Sequence, residues 1–91
     1  MKFLWDENKA ASNLKKHEIS FHEATTVFGD PLSITIDDPD HSDNEHRFIT
    51  IGFSTKSRIL VVIHSDQGDN IRIISARSAT RGEIKNYEEG F

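Results

Sequence analysis

The chain has no cysteine, two prolines and one methionine in 91 residues. Without cysteine there is no disulfide scaffold, no thiolate zinc site and no cysteine nucleophile. Long apolar runs are missing as well: the longest, Ile59 to Ile63, is far too short to cross a bilayer. The start, Met1-Lys2-Phe3-Leu4-Trp5-Asp6, turns polar before the apolar core of a signal peptide could form. There is no Gly-x-Ser-x-Gly elbow, no His-Glu-x-x-His zinc motif and no glycine-rich phosphate loop, so triad hydrolysis and nucleotide-driven chemistry find no support. These absences lead us to expect a cytoplasmic protein with no membrane partner.

What is present suffices for a small globule. A chain of 91 residues is expected to form one domain over 1–91 with one core. Hydrophobic residues make up 35% and aromatics 9%, too many for a disordered tail. The net charge of -4 argues at first against a nucleic-acid partner, but the charge is unevenly spread. Residues 37–46 carry Asp37, Asp38, Asp40, Asp43 and Glu45 with no Lys or Arg, so the other residues sum to +1. A basic surface elsewhere stays available to an anionic partner.

Phe3 to Trp5 reads as a short strand, and Asp6 as the N-cap of a helix from Glu7 to His17 that ends in Lys15-Lys16-His17, charges favoured at a helix C-terminus. Ser20-Phe21-His22-Glu23 matches a capping box, with Ser20 accepting from the Glu23 amide and Glu23 reaching back. Phe21, Ala24, Val27 and Phe28 follow the helical period until Gly29-Asp30-Pro31 stops it. Leu32–Asp37, Arg47–Ser54, Arg58–Ser65 and Asn70–Ala76 alternate as strands. The last three are joined by short turns and predict an antiparallel meander, with Arg58–Ser65, apolar on both faces, as its covered middle strand. Thr80-Arg81-Gly82-Glu83 opens a final helix carrying Ile84 and Tyr87. The expected fold is α+β, in the order β-α-α-β-β-β-β-α, with an antiparallel sheet packed against an N-terminal helical hairpin and a C-terminal helix.

The last strand, Ile71-Arg72-Ile73-Ile74-Ser75-Ala76-Arg77, carries the sharpest chemical signal. Regular alternation sets Arg72 on one face and Arg77 on the other, so the two can serve one phosphate only if a bulge or the strand end re-aims Arg77. A guanidinium among isoleucines needs an anion or several acceptors. That anion is either an RNA phosphate or a carboxylate such as Glu83, Glu45 or Asp69. Lys9, Asn13, Lys16 and His17 form one polar helical stripe, which can track phosphates or simply face solvent. His17, at the helix end, can transfer protons or cap the C-terminus. The loop 37–46 combines carboxylates with His41 and His46, which are metal-ligand types, but it lacks the glycine of an EF-hand turn. A solvated acidic loop is the simpler reading, and neither a metal nor another cofactor is expected.

The order and spacing of these segments resemble the BrnT-type toxins. The resemblance is carried by Trp5-Asp6-Glu7-Asn8-Lys9 with Asn13 and Lys16-His17, by Ser20-Phe21-x-Glu23-Ala24 with Val27-Phe28-x-Asp30, by Glu45-x-Arg47-x-x-x-Ile51-Gly52, and by Ile71 to Arg77 with Ala79, Glu83 and Tyr87. It spans Phe3 to Glu89. It implies a RelE-like fold, a ribonuclease that inhibits translation, and a type II toxin–antitoxin system. The implied partners are RNA as substrate and an antitoxin with a ribbon-helix-helix DNA-binding domain, through which alone operator DNA is reached. Glu18 stands where the pattern usually has glycine, which is expected to shift the helix end and adds a negative charge beside His17.

RNA cleavage without a metal needs a base for the 2′-hydroxyl, cations for the phosphorane and an acid for the leaving 5′-oxygen. The candidates are Arg47, Arg77, His17 and His64 for catalysis, and Lys9, Lys16, Arg72 and Arg81 for RNA binding. A function of another class fits the same chain: a non-catalytic domain that binds an antitoxin-like partner through its sheet and final helix, acting only within a repressor complex.

Overall fold

The structure is a computed structural model, and it describes residues 1–39 and 46–90. The chain runs β1 (Lys2–Leu4), α1 (Glu7–His17), α2 (Phe21–Thr26), one 3-10 turn (Val27–Gly29), β2 (Ile34–Asp37), β3 (Arg47–Phe53), β4 (Ile59–Gln67), β5 (Asn70–Ser78) and α3 (Arg81–Glu89). This is the order expected from the sequence. Asp40, His41, Asp43 and Glu45, on which the metal reading of the acidic loop rests, lie outside the described residues. At the ends of that loop, His46 Nε2 lies 3.0 Å from Asp37 Oδ1.

The helices begin and end for local reasons. Asp6 Oδ1 accepts from the amides of Asn8 at 2.7 Å and Lys9 at 3.2 Å, which caps α1. Lys15, Lys16 and His17 fill its last turn, opposite in sign to the helix dipole there. The expected shift of the helix end does not occur. Glu18 takes the left-handed conformation (φ 59°) that glycine usually occupies, and its N–H bonds Leu14 O at 2.9 Å. Ser20 Oγ accepts from the Glu23 amide at 3.0 Å, as the capping pattern predicts. Glu23, however, does not reach back. Its buried carboxylate accepts from Ser54 Oγ at 2.7 Å and from Arg58 Nε at 3.0 Å, and pairs with a second Arg58 nitrogen. A guanidinium and a hydroxyl satisfy a buried carboxylate far better than one exposed backbone N–H can.

The sheet order is β1-β5-β4-β3-β2. The meander β2 to β5 is antiparallel, β4 is central, and β1 joins β5 in parallel at one edge. One face of the sheet packs on α1 and α2, where Ile19, Phe21, Ala24 and Val27 meet Leu60, Val62, Ile73 and Ala76. A Cβ on Gly52 would sit 3.1 Å from both Val27 Cβ and Ser33 Cβ, so glycine lets the 3-10 turn lie on β3. The other face carries Ile51 and Val61, with α3 against β3. Tyr87 Oη donates to Asp30 Oδ2 at 2.5 Å and fastens α3 to the turn before β2.

β5 breaks regular alternation. Ser75 pairs with Ile63 but Ile73 pairs with His64, so Ile74 has no opposite number. Ile73 and Ala76, three residues apart, both enter the helix-side core because of this bulge. Arg72, opposite Ser65, and Arg77, opposite Val61, therefore share the α3 face. The opposite faces expected of a regular strand are not found, and the bulge allowed for as the exception is: two buried apolar side chains at odd spacing force the extra residue. β1 stops at Leu4, opposite Arg72, which leaves the next part of β5 without a strand on that side. Asn13 takes that place. Its Nδ2 donates to Ala76 O and Ile19 O, both at 2.9 Å, and its Oδ1 accepts from Ala76 N–H at 3.1 Å.

Two stability measurements follow. Glu18→Gly should raise stability by about 0.5–1 kcal/mol, since relief of left-handed strain exceeds the added freedom of the unfolded chain; an unchanged urea midpoint would show that no strain is held there. Asn13→Leu should cost about 2–4 kcal/mol, because it orphans both Ala76 backbone groups and Ile19 O; thermal unfolding with a near-native midpoint would contradict this role.

Candidate nucleic-acid interface

The α3 face of the sheet reads as a set of rows set by strand register. Arg47, Ser65 and Arg72 form one row across β3, β4 and β5. Ile49, Ile63 and Ser75 form the next, and Ile51, Val61 and Arg77 the one after. Two residues along a strand advance about 6.7 Å, so Arg72 and Arg77 Cα atoms are about 13 Å apart on the same face. Arg47 and Arg77, candidates for catalysis, and Arg72, a candidate for RNA binding, are thus brought onto one surface.

They are not equivalent. Arg77 Nη1 and Nη2 donate to Glu83 Oε1 and Oε2, each at 2.8 Å, in a bidentate pair. Glu83 also closes the capping box of α3, accepting from Thr80 N at 2.8 Å while its own N–H bonds Thr80 Oγ1 at 3.2 Å. Hydrogen bonding to Glu83 raises the Arg77 pKa above its ordinary value. Arg72 makes no hydrogen bond or ion pair among the described residues, and it is half-buried. Of the two arginines on β5, Arg77 has a carboxylate among the described residues and Arg72 does not.

The polar stripe of α1 faces the strand-free edge of β5. Asp6, Asn8, Lys9, Ser12, Asn13, Lys16 and His17 line a cleft of about 500 Å³ with Ile74 and Ser75 on its other wall. Lys9, Lys16 and His17 are therefore together, and the cleft reaches Ser75, which lies on the same face as Arg72 and Arg77. The bulge residue itself forms part of the cleft wall.

Two sequence candidates lie elsewhere. His64 is 2% exposed, on the helix side of the sheet, and so on the opposite face from the arginines. Its Nε2 is 2.7 Å from Thr50 Oγ1 and its Nδ1 is 3.3 Å from Asp66 Oδ1, with Phe28 at its edge and Phe48 stacked on it. Burial pushes its pKa below the usual histidine value, so it is a neutral core histidine. Arg81 is exposed at the first residue of α3. The sequence reading missed Ser65 and Ser75. Counting back from the Gly68-Asp69 turn, where Gln67 faces Asn70, would have found Ser65 opposite Arg72; nothing short of the bulge marks Ser75. Among the described residues no group of three or more His, Asp or Glu is placed to hold a metal ion, and no helix is long and apolar enough to cross a membrane.

A family model described as the ribonuclease toxin BrnT of type II toxin–antitoxin systems matches residues 5–83. Among solved structures, the chain is similar to the ribonuclease toxin BrnT of Brucella abortus, with a TM-score of 0.66 and 28% sequence identity, covering 89% of this chain and 99% of that one. No curated protein matches.

The Arg77–Glu83 pair sets a pH dependence. Hydrogen bonds from Arg77 hold the Glu83 carboxyl down at about 2, against an ordinary 4.5. Its stabilising contribution is whole above the ordinary value and is lost as the pH falls toward 2. Glu83→Gln should be less stable than the parent at neutral pH and should lose less on acidification. Urea midpoints at about pH 5 and about pH 2.5 measure this, and equal losses in both proteins would count against it.

Proposed function

The chain belongs to the BrnT family of ribonuclease toxins from type II toxin–antitoxin systems, and from that premise we propose that it is an endoribonuclease that cuts RNA without a metal ion and so inhibits translation. One observation carries this reading: the bulge at Ile74 aligns Arg72 and Arg77 with Arg47 on one face, next to a cleft that holds Lys9, Lys16 and His17. Guanidiniums on a surface of this kind favour the doubly negative phosphorane over the singly negative phosphodiester, and that difference is what lowers the barrier.

In this mechanism the 2′-oxygen attacks phosphorus, the bond to the 5′-oxygen breaks, and a 2′,3′-cyclic phosphate results. Arg47 and Arg72 hold the non-bridging oxygens. Arg77 lends its guanidinium from a fixed position at the edge of this face, where Glu83 holds it and offsets part of its charge. Lys9 and Lys16 follow the neighbouring phosphates along the cleft. His17, the one histidine among the described residues that lines the cleft, takes the proton of the 2′-hydroxyl and gives it to the leaving 5′-oxygen. His64 is left out of this step, since its burial on the far face serves the core. Arg81, exposed at the head of α3, attracts the strand at longer range.

Membership of the family implies an antitoxin partner. The reading assigns it a ribbon-helix-helix domain, gives this chain access to operator DNA only through that partner, and sets the whole activity in the cytoplasm within one domain.

Purified, partner-free protein should cut a synthetic single-stranded RNA in excess EDTA and leave cyclic-phosphate ends. Arg72→Ala should lower kcat/KM on the order of 10²-fold while far-UV circular dichroism stays unchanged. If the well-folded protein leaves every RNA intact, the enzyme reading falls and the non-catalytic partner-binding domain takes its place. Cleavage that EDTA alone abolishes would sink the metal-free step.

A further inference from the structure

Ser65 is 1% exposed, and its Oγ has no hydrogen-bond partner among the described residues. A buried hydroxyl left in this state is destabilising, and alanine would fill the position without that cost. Such a group calls for a reason. Its surroundings supply one. Ser65 stands directly between Arg47 on β3 and Arg72 on β5, with all three side chains on the α3 face. Neighbouring strands lie about 4.8 Å apart, so the two arginine Cα atoms are about 10 Å apart with the serine midway. The register therefore sets one short, buried polar side chain between two long cationic ones. On the turn side the next pair along the strands, Gln67 and Asn70, is polar. On the inner side Ile49 and Ile63 supply an apolar border.

We infer that Arg47, Ser65 and Arg72 form one phosphate subsite for single-stranded RNA, in which Ser65 Oγ–H donates to a non-bridging oxygen while the two guanidiniums flank it. The inference rests on the ribonuclease reading above and deepens it by naming the group that sets how deep the phosphate sits. Two flexible cationic side chains supply charge but do not fix position; a hydroxyl on the central strand does. In the free protein the hydroxyl is covered. An anion that draws the guanidiniums outward uncovers it and gives it an acceptor. Ser65 is thus expected to cost stability in the free protein and to serve binding.

Three readouts on Ser65→Ala test this: the urea midpoint, affinity for a 2′-O-methyl RNA oligonucleotide that cannot be cleaved, and cleavage of the matching RNA. The variant should be more stable than the parent, bind the oligonucleotide about tenfold more weakly, and cut more slowly. Inorganic phosphate should compete only at far higher concentration than the oligonucleotide; equal potency would make this a site for free phosphate and overturn the RNA assignment. Arg72→Gln and the double variant complete a cycle, in which the two losses in binding should be less than additive because both act on one phosphate. Full additivity, or a Ser65→Ala protein that binds as the parent does, overturns the subsite. A parent protein that binds the oligonucleotide in a Ser65-dependent way yet cuts no RNA overturns the ribonuclease reading and leaves the subsite standing.

Discussion

The extra residue in β5 is the constraint on which the rest of the molecule depends. Ile73 and Ala76 must both be buried against the helices, yet three residues separate them, and an unbroken strand would send one of them to the opposite face. Leaving Ile74 unopposed resolves the conflict. The same shift carries Arg72 across to the face of Arg77 and sets Ile74 and Ser75 into the wall of the α1 cleft. A packing requirement on one side of the sheet thereby organises the cations on the other. Asn13 holds the arrangement by bonding both backbone groups of Ala76, and this is possible only because β1 has ended. A longer first strand would occupy the edge that now lines the cleft.

The two faces use polar groups in opposite ways. On the helix side, polar side chains are paired with one another. Thr35, Thr50 and His64 form a chain of short hydrogen bonds, and Glu23 is satisfied by Ser54 and Arg58. Hydrogen bonding to Arg58 lowers the Glu23 pKa despite its burial, as expected of a paired carboxylate. These groups hold β2, β3 and α2 in register. On the α3 side, Arg72 and Ser65 are left without partners among the described residues. Such incompleteness is unfavourable in an isolated domain and is tolerated where a ligand completes it.

Arg77 stands between these two situations. Its bidentate pair with Glu83 joins the end of β5 to the first turn of α3, and Glu83 also caps that helix. The start of α3 is therefore coupled to the charge at the rim of the arginine face. At its other end, the Tyr87–Asp30 hydrogen bond fixes the helix and raises the tyrosine pKa to about 12. α3 is fastened at both ends by side chains rather than by a large apolar face, since none of its residues is fully buried.

Much of the fold could be read directly from local pattern. Asp6, Ser20 and Thr80 marked the helix starts, and apolar residues on both faces of Ile59–Ile63 marked β4 as central, because caps and alternation are set by near neighbours. The polar stripe Lys9, Lys16 and His17 was legible for the same reason, since helical spacing alone puts those residues on one side. What the sequence could not settle depended on distant partners. Glu23 looked like a capping residue until Arg58, 35 residues away, came within reach of it. His64 looked like a proton carrier until Phe28, Phe48 and Thr50 closed around it. Which face Arg72 occupies was decided by the burial of Ile73 and Ala76 together, a demand made by helices from the other end of the chain. The sequence by itself determined the elements and the kinds of side chain they carry; tertiary packing decided which of those side chains meet, because one inserted residue in a strand reverses every face that follows it.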